Sequence, residues 1–176
     1  EDAEADSRDA PDGQPDNGVV SHPVDVVTGR AFTDPVIDLR LPGPIPFSFA
    51  RRYSTSAASR DIGLGFGWSH SYGWEIEVRR RSVIVWSDEG IATEFAVPAP
   101  GTSLAGPYGW MLWRRADGYT LDTGDDLRRD FSPAPGDARR CRLDAIRNVR
   151  GAAIVLAYEG ARLGSITDSV GRAIQL

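Results

Sequence analysis

The side chains best suited to chemistry sit in one short stretch, where Trp68, Ser69, His70, Tyr72 and Trp74 follow Gly63, Gly65 and Gly67. In extended backbone, residues two apart share a face, so Trp68, His70, Tyr72 and Trp74 would form an aromatic row that could stack on sugar rings or bases. Burying each large ring removes about 150–250 Å² from water, worth up to about 4–6 kcal/mol. That magnitude favours packing the row in a core or shell lining over exposing it as a carbohydrate platform. Ser69 and His70 could open a Ser-His-Asp arrangement, but neighbours on a strand point to opposite faces and are poorly placed to share a proton. No catalytic residue is assigned. The glycines at 63, 65 and 67 lead into a strand rather than a helix N-terminus and no Lys follows, so they are a bend rather than a phosphate loop.

Metal and cofactor chemistry finds little support. His22 and His70 are the only histidines and lie nearly fifty residues apart, without metal-ligand spacing. Asp122, Asp125 and Asp126 lack the alternating acidic pattern and closing Glu of a calcium loop, and read as a turn. A single cysteine, Cys141, excludes an intramolecular disulfide and a cysteine-cluster zinc site. No metal or cofactor is implied. Arg79, Arg80 and Arg81 read as a solvated hairpin tip, with Glu75 and Glu77 forming cross-strand ion pairs to nearby arginines.

The 176 residues carry 41% hydrophobic and 26% charged residues and a net charge of −5. This is a globular composition, and the acidic balance argues against a nucleic-acid partner. All 20 basic residues are Arg, which meets carboxylates through a planar fork. No apolar run reaches the roughly 18–20 residues of a membrane span.

The elements that must position these residues are strands. Residues 1–18 are rich in Asp, Glu, Pro and Gly and are expected to form a flexible acidic leader. From Val19 onward, β-branched and aromatic residues cluster between Gly, Pro and Asp. Strands are predicted over 24–27, 31–41, 47–53, 75–78, 82–86, 91–97, 109–114, 119–122 and 127–131. The prolines at 42, 44 and 46 cannot donate ladder hydrogen bonds and mark an edge or crossing. No segment carries a helical period, so the fold class is all-β.

From Arg142 to Leu176 the sequence repeats. Arg142-Leu143, Ile146, Gly151, Ala153-Ile154 and Leu156 recur as Arg162-Leu163, Ile166, Gly171, Ala173-Ile174 and Leu176, with Asn148 replaced by Asp168. The offset of about twenty residues is a repeat-protein period, and units this short need stacked neighbours to bury their apolar face. The chain therefore reads as the opening portion of a longer repetitive molecule, divided into the leader (1–18), a pre-repeat β domain (19–140) and two repeats (141–176).

Four blocks precede the repeat: His22-Pro23-Val24-Asp25-Val26-Val27-Thr28-Gly29, Leu41-Pro42-Gly43-Pro44-Ile45-Pro46, Arg51-Arg52-Tyr53-Ser54, and Gly65-Phe66-Gly67-Trp68-Ser69-His70-Ser71-Tyr72. In order and spacing they resemble the segments that Rhs and YD-repeat proteins carry before their repeats, and Arg162-Leu163 through Asp168, Gly171 and Arg172 resembles the repeat itself. Tyr158-Glu159 stands where the family name has Tyr-Asp. Asp34-Pro35 does not match the family's self-cleavage signature, so no protease residues are carried over. The resemblance implies a spiral β-cage that encloses a C-terminal toxin until delivery, with this segment non-catalytic. Its partners would be the remainder of the same polypeptide, including the toxin, and spike proteins of a secretion apparatus such as type VI; its location would be secreted or inside a target cell. The alternative is a cell-surface carbohydrate-binding or adhesion module using the aromatic row. Trp68, His70, Tyr72, Trp74, Gly151, Arg162, Leu163, Asp168, Gly171 and Arg172 are the motif residues on which these readings rest.

Overall fold

Alternation of apolar and polar side chains between Gly- and Asp-containing turns yields fourteen strands between Val36 and Gln175. The computed structural model describes residues 23–25, 27 and 29–176; the leader, His22, Val26 and Thr28 lie outside the described residues. Within them the fold is all-β, built of short antiparallel strands joined by turns and two single-turn 3₁₀ segments. A small sheet has the order β1 (Val36–Leu41), β2 (Phe47–Tyr53), β3 (Trp68–His70). The large sheet contains β4 (Glu75–Val78), β5 (Ser82–Trp86), β6 (Ala92–Ala96), β7 (Ser103–Ala105), β8 (Met111–Arg115), β9 (Gly118–Asp122), β10 (Leu127–Ala134), β11 (Asp137–Asn148), β12 (Ala153–Glu159), β13 (Arg162–Thr167) and β14 (Ala173–Gln175).

The large sheet forks at β11. Strand β10 runs along one edge of β11 from Cys141 to Asn148. The other edge is shared: Ala145, Ile146 and Arg147 pair with β12, and Arg140, Cys141 and Arg142 pair with β4. One arm continues as β12, β13 and β14, the other as β4, β5 and β6. A bulge at Asp144, between the pairs Asp130↔Ala145 and Phe131↔Leu143, lies where the arms diverge. Bulges bend a strand and raise its twist, which suits a branch point. The boundary between residues 140 and 141 falls inside β11.

The two repeats share one loop geometry. The Asn148 carboxamide oxygen accepts the N–H groups of Arg150 and Ala152, both at 3.0 Å, and the Asp168 carboxylate accepts those of Val170 and Arg172 at 3.0 and 2.9 Å. Gly151 and Gly171 close the turns at φ of 84° and 89°, a conformation that L-residues with a Cβ avoid. The bulge recurs too, at Gly164 between Ala157↔Ser165 and Tyr158↔Leu163. A third copy of the loop joins β5 to β6, where the Ser87 hydroxyl accepts from Glu89 and Ile91 and Gly90 takes φ 69°. Its pairing follows the same register: Val85↔Thr93 corresponds to Ile146↔Ile154 and Ile166↔Ile174. Ser in place of Asn or Asp hides this copy from sequence comparison, while its oxygen does the same work.

A single apolar core spans both sheets. Ile45, Phe47 and Tyr72 from the small-sheet region join Ile76, Val83, Leu112, Leu121, Phe131, Leu143, Ile154 and Ile166. On β12 and β6 the buried residues alternate with exposed ones, the signature of a sheet covered on one face.

Three expectations differ from the structure. The described part of the 24–27 segment forms only an isolated bridge, Val24↔Ala31. The 31–41 strand narrows to β1, with Phe32 making a single bridge to Ser54. The aromatic row is not one extended face, because the backbone turns between His70 and Gly73, where Gly73 N–H donates to the His70 carbonyl at 2.7 Å. A Cβ at Gly73 would lie 2.5 Å from the Ile62 Cδ1 and 3.0 Å from the His70 carbonyl oxygen, so a side chain at this crossing between the sheets would have to displace Ile62.

Candidate functional site

Five of the ten motif residues singled out in the sequence, His70, Tyr72, Trp74, Arg162 and Leu163, meet at the fork. A cleft of about 260 Å³ opens there, lined by His70, Tyr72, Trp74, Glu75, Arg140, Arg142, Tyr158, Arg162 and Leu163 with Asp61, Ile62 and Gly63 at its mouth. Strand β4 brings Glu75, β11 brings the arginines at 140 and 142, and the β12–β13 hairpin brings Tyr158 from the end of β12 and Arg162 from the start of β13. Trp68 lies apart, edge-on to Tyr53 at 5.8 Å.

Glu75, Arg140, Arg142 and Tyr158 at the cleft are engaged in joining elements. Arg140 grips the Glu75 carboxylate with two guanidinium nitrogens, and Arg60 approaches the same carboxylate at 3.6 Å while stacking 4.4 Å over Trp86. Glu75 and Arg140 sit on paired strands, so the ion pair is a cross-strand one, but its arginine comes from 65 residues away rather than from the nearby arginines expected from the sequence. Glu77 pairs with Arg79 at 2.8 Å. Arg142 lies 4.1 Å over the Tyr158 ring and donates to the Gly160 carbonyl at 2.6 Å. The Tyr158 hydroxyl donates to the Leu143 carbonyl at 2.9 Å, bridging the stretch of β11 that pairs with neither arm. Burial raises the Tyr158 and Tyr72 phenols well above their usual pKa, so both remain protonated.

Ser69 and His70 are turned to different partners. The Ser69 hydroxyl donates to the Asp88 carbonyl at 2.6 Å, and the His70 Nδ1 accepts from the Tyr72 N–H at 3.2 Å. The imidazole stacks on Phe49 at 5.1 Å, and burial pushes its pKa down to about 4, so it is neutral at pH 7. Tyr72 stacks on Phe47 at 5.3 Å, and Trp74 packs against Trp110 at 5.8 Å with Arg129 4.5 Å over its ring. His70, Tyr72 and Trp74 are 5%, 4% and 8% exposed, so they present no contiguous face to a ligand. Among the described residues no group of three or more His, Cys, Asp or Glu could hold a metal ion. The Asp122 and Asp125 carboxylates cap the backbone N–H groups of Gly124 and Leu127, as turn residues do.

A second junction, not anticipated from sequence, ties the repeat to the proline block. The Ser169 hydroxyl donates to the Ile45 carbonyl at 2.8 Å and accepts the Ile45 N–H at 3.1 Å across 124 residues of chain. Arg172 spans the gap, donating to Asp168 at 2.6 Å and to the Pro42 carbonyl. Burial opposes the Asp168 charge, but the backbone and guanidinium N–H groups of Arg172 and the N–H of Val170 outweigh it and hold its pKa below the usual carboxylate range. A Cβ at Gly43 would sit 2.7 Å from the Ser169 oxygen. The prolines leave Ile45 as the residue between Pro44 and Pro46 with an N–H to offer, and the repeat loop takes it. Gly151, in the first repeat, closes its own loop and takes part in neither junction. Arg162 is exposed and Leu163 half-buried at the edge of the cleft.

Comparison with known proteins adds a domain family. A family model described as a domain of unknown function (DUF6531) matches residues 21–95. The matched stretch runs through the small sheet and the β4–β5–β6 arm and stops before the repeats. No curated protein matches the chain. Among the described residues no helix is long and apolar enough to cross a membrane.

Proposed function

We propose that this chain is the non-catalytic N-terminal wall of an Rhs/YD-repeat toxin, in which the pre-repeat strands anchor the first turns of a spiral shell. The shell encloses a C-terminal toxin domain of the same polypeptide and is delivered from the producing cell by a secretion apparatus through its spike proteins. The carrying observation is the lock between Ser169 and Arg172 of the second repeat and the proline block at 42–45, which welds repeat and pre-repeat strands into one core. An entry segment of this kind fixes the pitch at which further repeats would add to β14. The groups with catalytic potential at the fork, Glu75, Arg140, Arg142 and Tyr158, serve as strand ties, consistent with a wall rather than an active centre.

The test is limited proteolysis of the full-length parent polypeptide, intact and with Ser169→Ala and Arg172→Ala combined. The intact protein should yield a large resistant core that shields its C-terminal region, and the double variant should expose that region to faster cleavage. Equal digestion of the C-terminal region with and without residues 1–176 would overturn the proposal.

A further inference from the structure

We propose that the groove between the 87–91 loop and the 107–110 turn binds a pyranose ring of a neutral glycan. The groove holds about 320 Å³ and is lined by Trp74, Tyr108 and Trp110 together with Ser87, Asp88, Glu89, Ile91 and Thr93. That is the scale of a small-ligand site, and the lining sets three aromatic residues beside four polar ones. It shares only Trp74 with the aromatic row and does not depend on the shell reading.

The turn presenting these rings is strained in a way that packing does not require. Tyr108 is 81% exposed yet held at φ 62°, ψ 15°, a left-handed conformation that an aromatic L-residue rarely adopts. Its ring lies 6.0 Å from Trp110, which in turn meets Trp74 at 5.8 Å. Backbone strain concentrates at ligand-holding sites, and an exposed ring beside a half-buried one offers the apolar C–H face of a sugar a surface to stack on. The polar lining residues Ser87, Asp88, Glu89 and Thr93 supply acceptors for sugar hydroxyls.

Charge selects a neutral ligand. Arg52 already engages both carboxylates, at 2.9 Å to Glu89 and 3.5 Å to Asp88, and Arg129 already covers Trp74. A cationic ligand would compete with bound guanidinium groups, and a phosphate would face the two carboxylates. Hydroxyl groups need only lone pairs that the two salt bridges leave free.

The test is titration of the 176-residue chain with cellotetraose, maltotetraose and chitotetraose, followed by tryptophan fluorescence, with tetra-arginine as the cationic comparison. At least one sugar should give a saturable change. Tyr108→Gly, which accepts the left-handed backbone, should keep or raise the melting temperature while weakening that binding about tenfold or more. No saturable response to any of the sugars, unchanged affinity in Tyr108→Gly, or tighter binding of tetra-arginine than of every sugar would each overturn the proposal.

Discussion

At the scale of single residues, burial sets the chemistry of the two side chains most open to misreading. An imidazole titrates near 6.5 in an unfolded chain, whereas desolvation brings His70 to about 4. Between those values the unfolded chain binds a proton that the folded chain does not. The stability contributed by neutral His70 is therefore complete above about pH 6.5 and is lost as the pH falls toward 4, by about 3 kcal/mol in total. Urea denaturation from pH 7.5 to 4 should show this fall in the wild type and a flatter profile in His70→Gln; parallel profiles would remove His70 from the account. Cys141 is 2% exposed, and its thiol is pushed up to about 11 by burial, reinforced by the charges of Asp144 and Glu75. It should resist a disulfide reagent at pH 8 in the native protein and react at once in denaturant. Rapid labelling under native conditions would show that β11 opens at this point.

At the scale of elements, the recurring loop and the fork each depend on one polar atom. Asn148→Ala removes the acceptor for two backbone N–H groups and should cost about 1–2 kcal/mol in chemical denaturation. Asn148→Asp, the residue used by the second repeat, should cost little; an equal loss would mean that the carboxamide is needed for something other than capping. Tyr158→Phe keeps the ring under Arg142 but withdraws the hydroxyl from the Leu143 carbonyl. A loss of about 1–3 kcal/mol is expected, the penalty of an inward-facing carbonyl left without its donor. No loss would show that water reaches the fork.

At the scale of the whole molecule, the sheets formed by the described residues end in open edges. Strand β1 is exposed along most of its length, with Val36 at 54%, Ile37 at 42% and Leu39 at 36%, and β14 pairs on one side with β13. Apolar strands with free N–H and C=O groups on one edge recruit further strands. The 176-residue chain should therefore associate with rising concentration in sedimentation velocity, and Ile37→Lys with Leu39→Lys should shift it toward monomer. A wild type that stays monomeric and melts cooperatively at all concentrations would refute this.

Much of the local structure was legible because it is written in neighbouring residues. Period-two alternation located β2 and the β4–β5 hairpin, and the recurring residues from 142 to 176 located the repeat, though not the strands and loops inside it. The third loop escaped because a serine oxygen replaces the carboxamide, and β7 escaped because three residues beside Pro and Gly carry too short a pattern. The ion pair of Glu75 could be anticipated from charge and alternation, but its partner Arg140 depends on β11 reaching β4.

The sequence by itself determined that this is an all-β, repetitive chain, since strand periodicity and turn chemistry act over a few residues. Only the tertiary structure decided where the sheet forks, that the aromatic row is split between β3 and the turn that follows it, that the proline block receives the second repeat, and that Trp74, Tyr108 and Trp110 share one groove. Those arrangements join residues tens to more than a hundred positions apart. Which strand pairs with which is settled by the shared core that all of them bury, a quantity no local pattern contains.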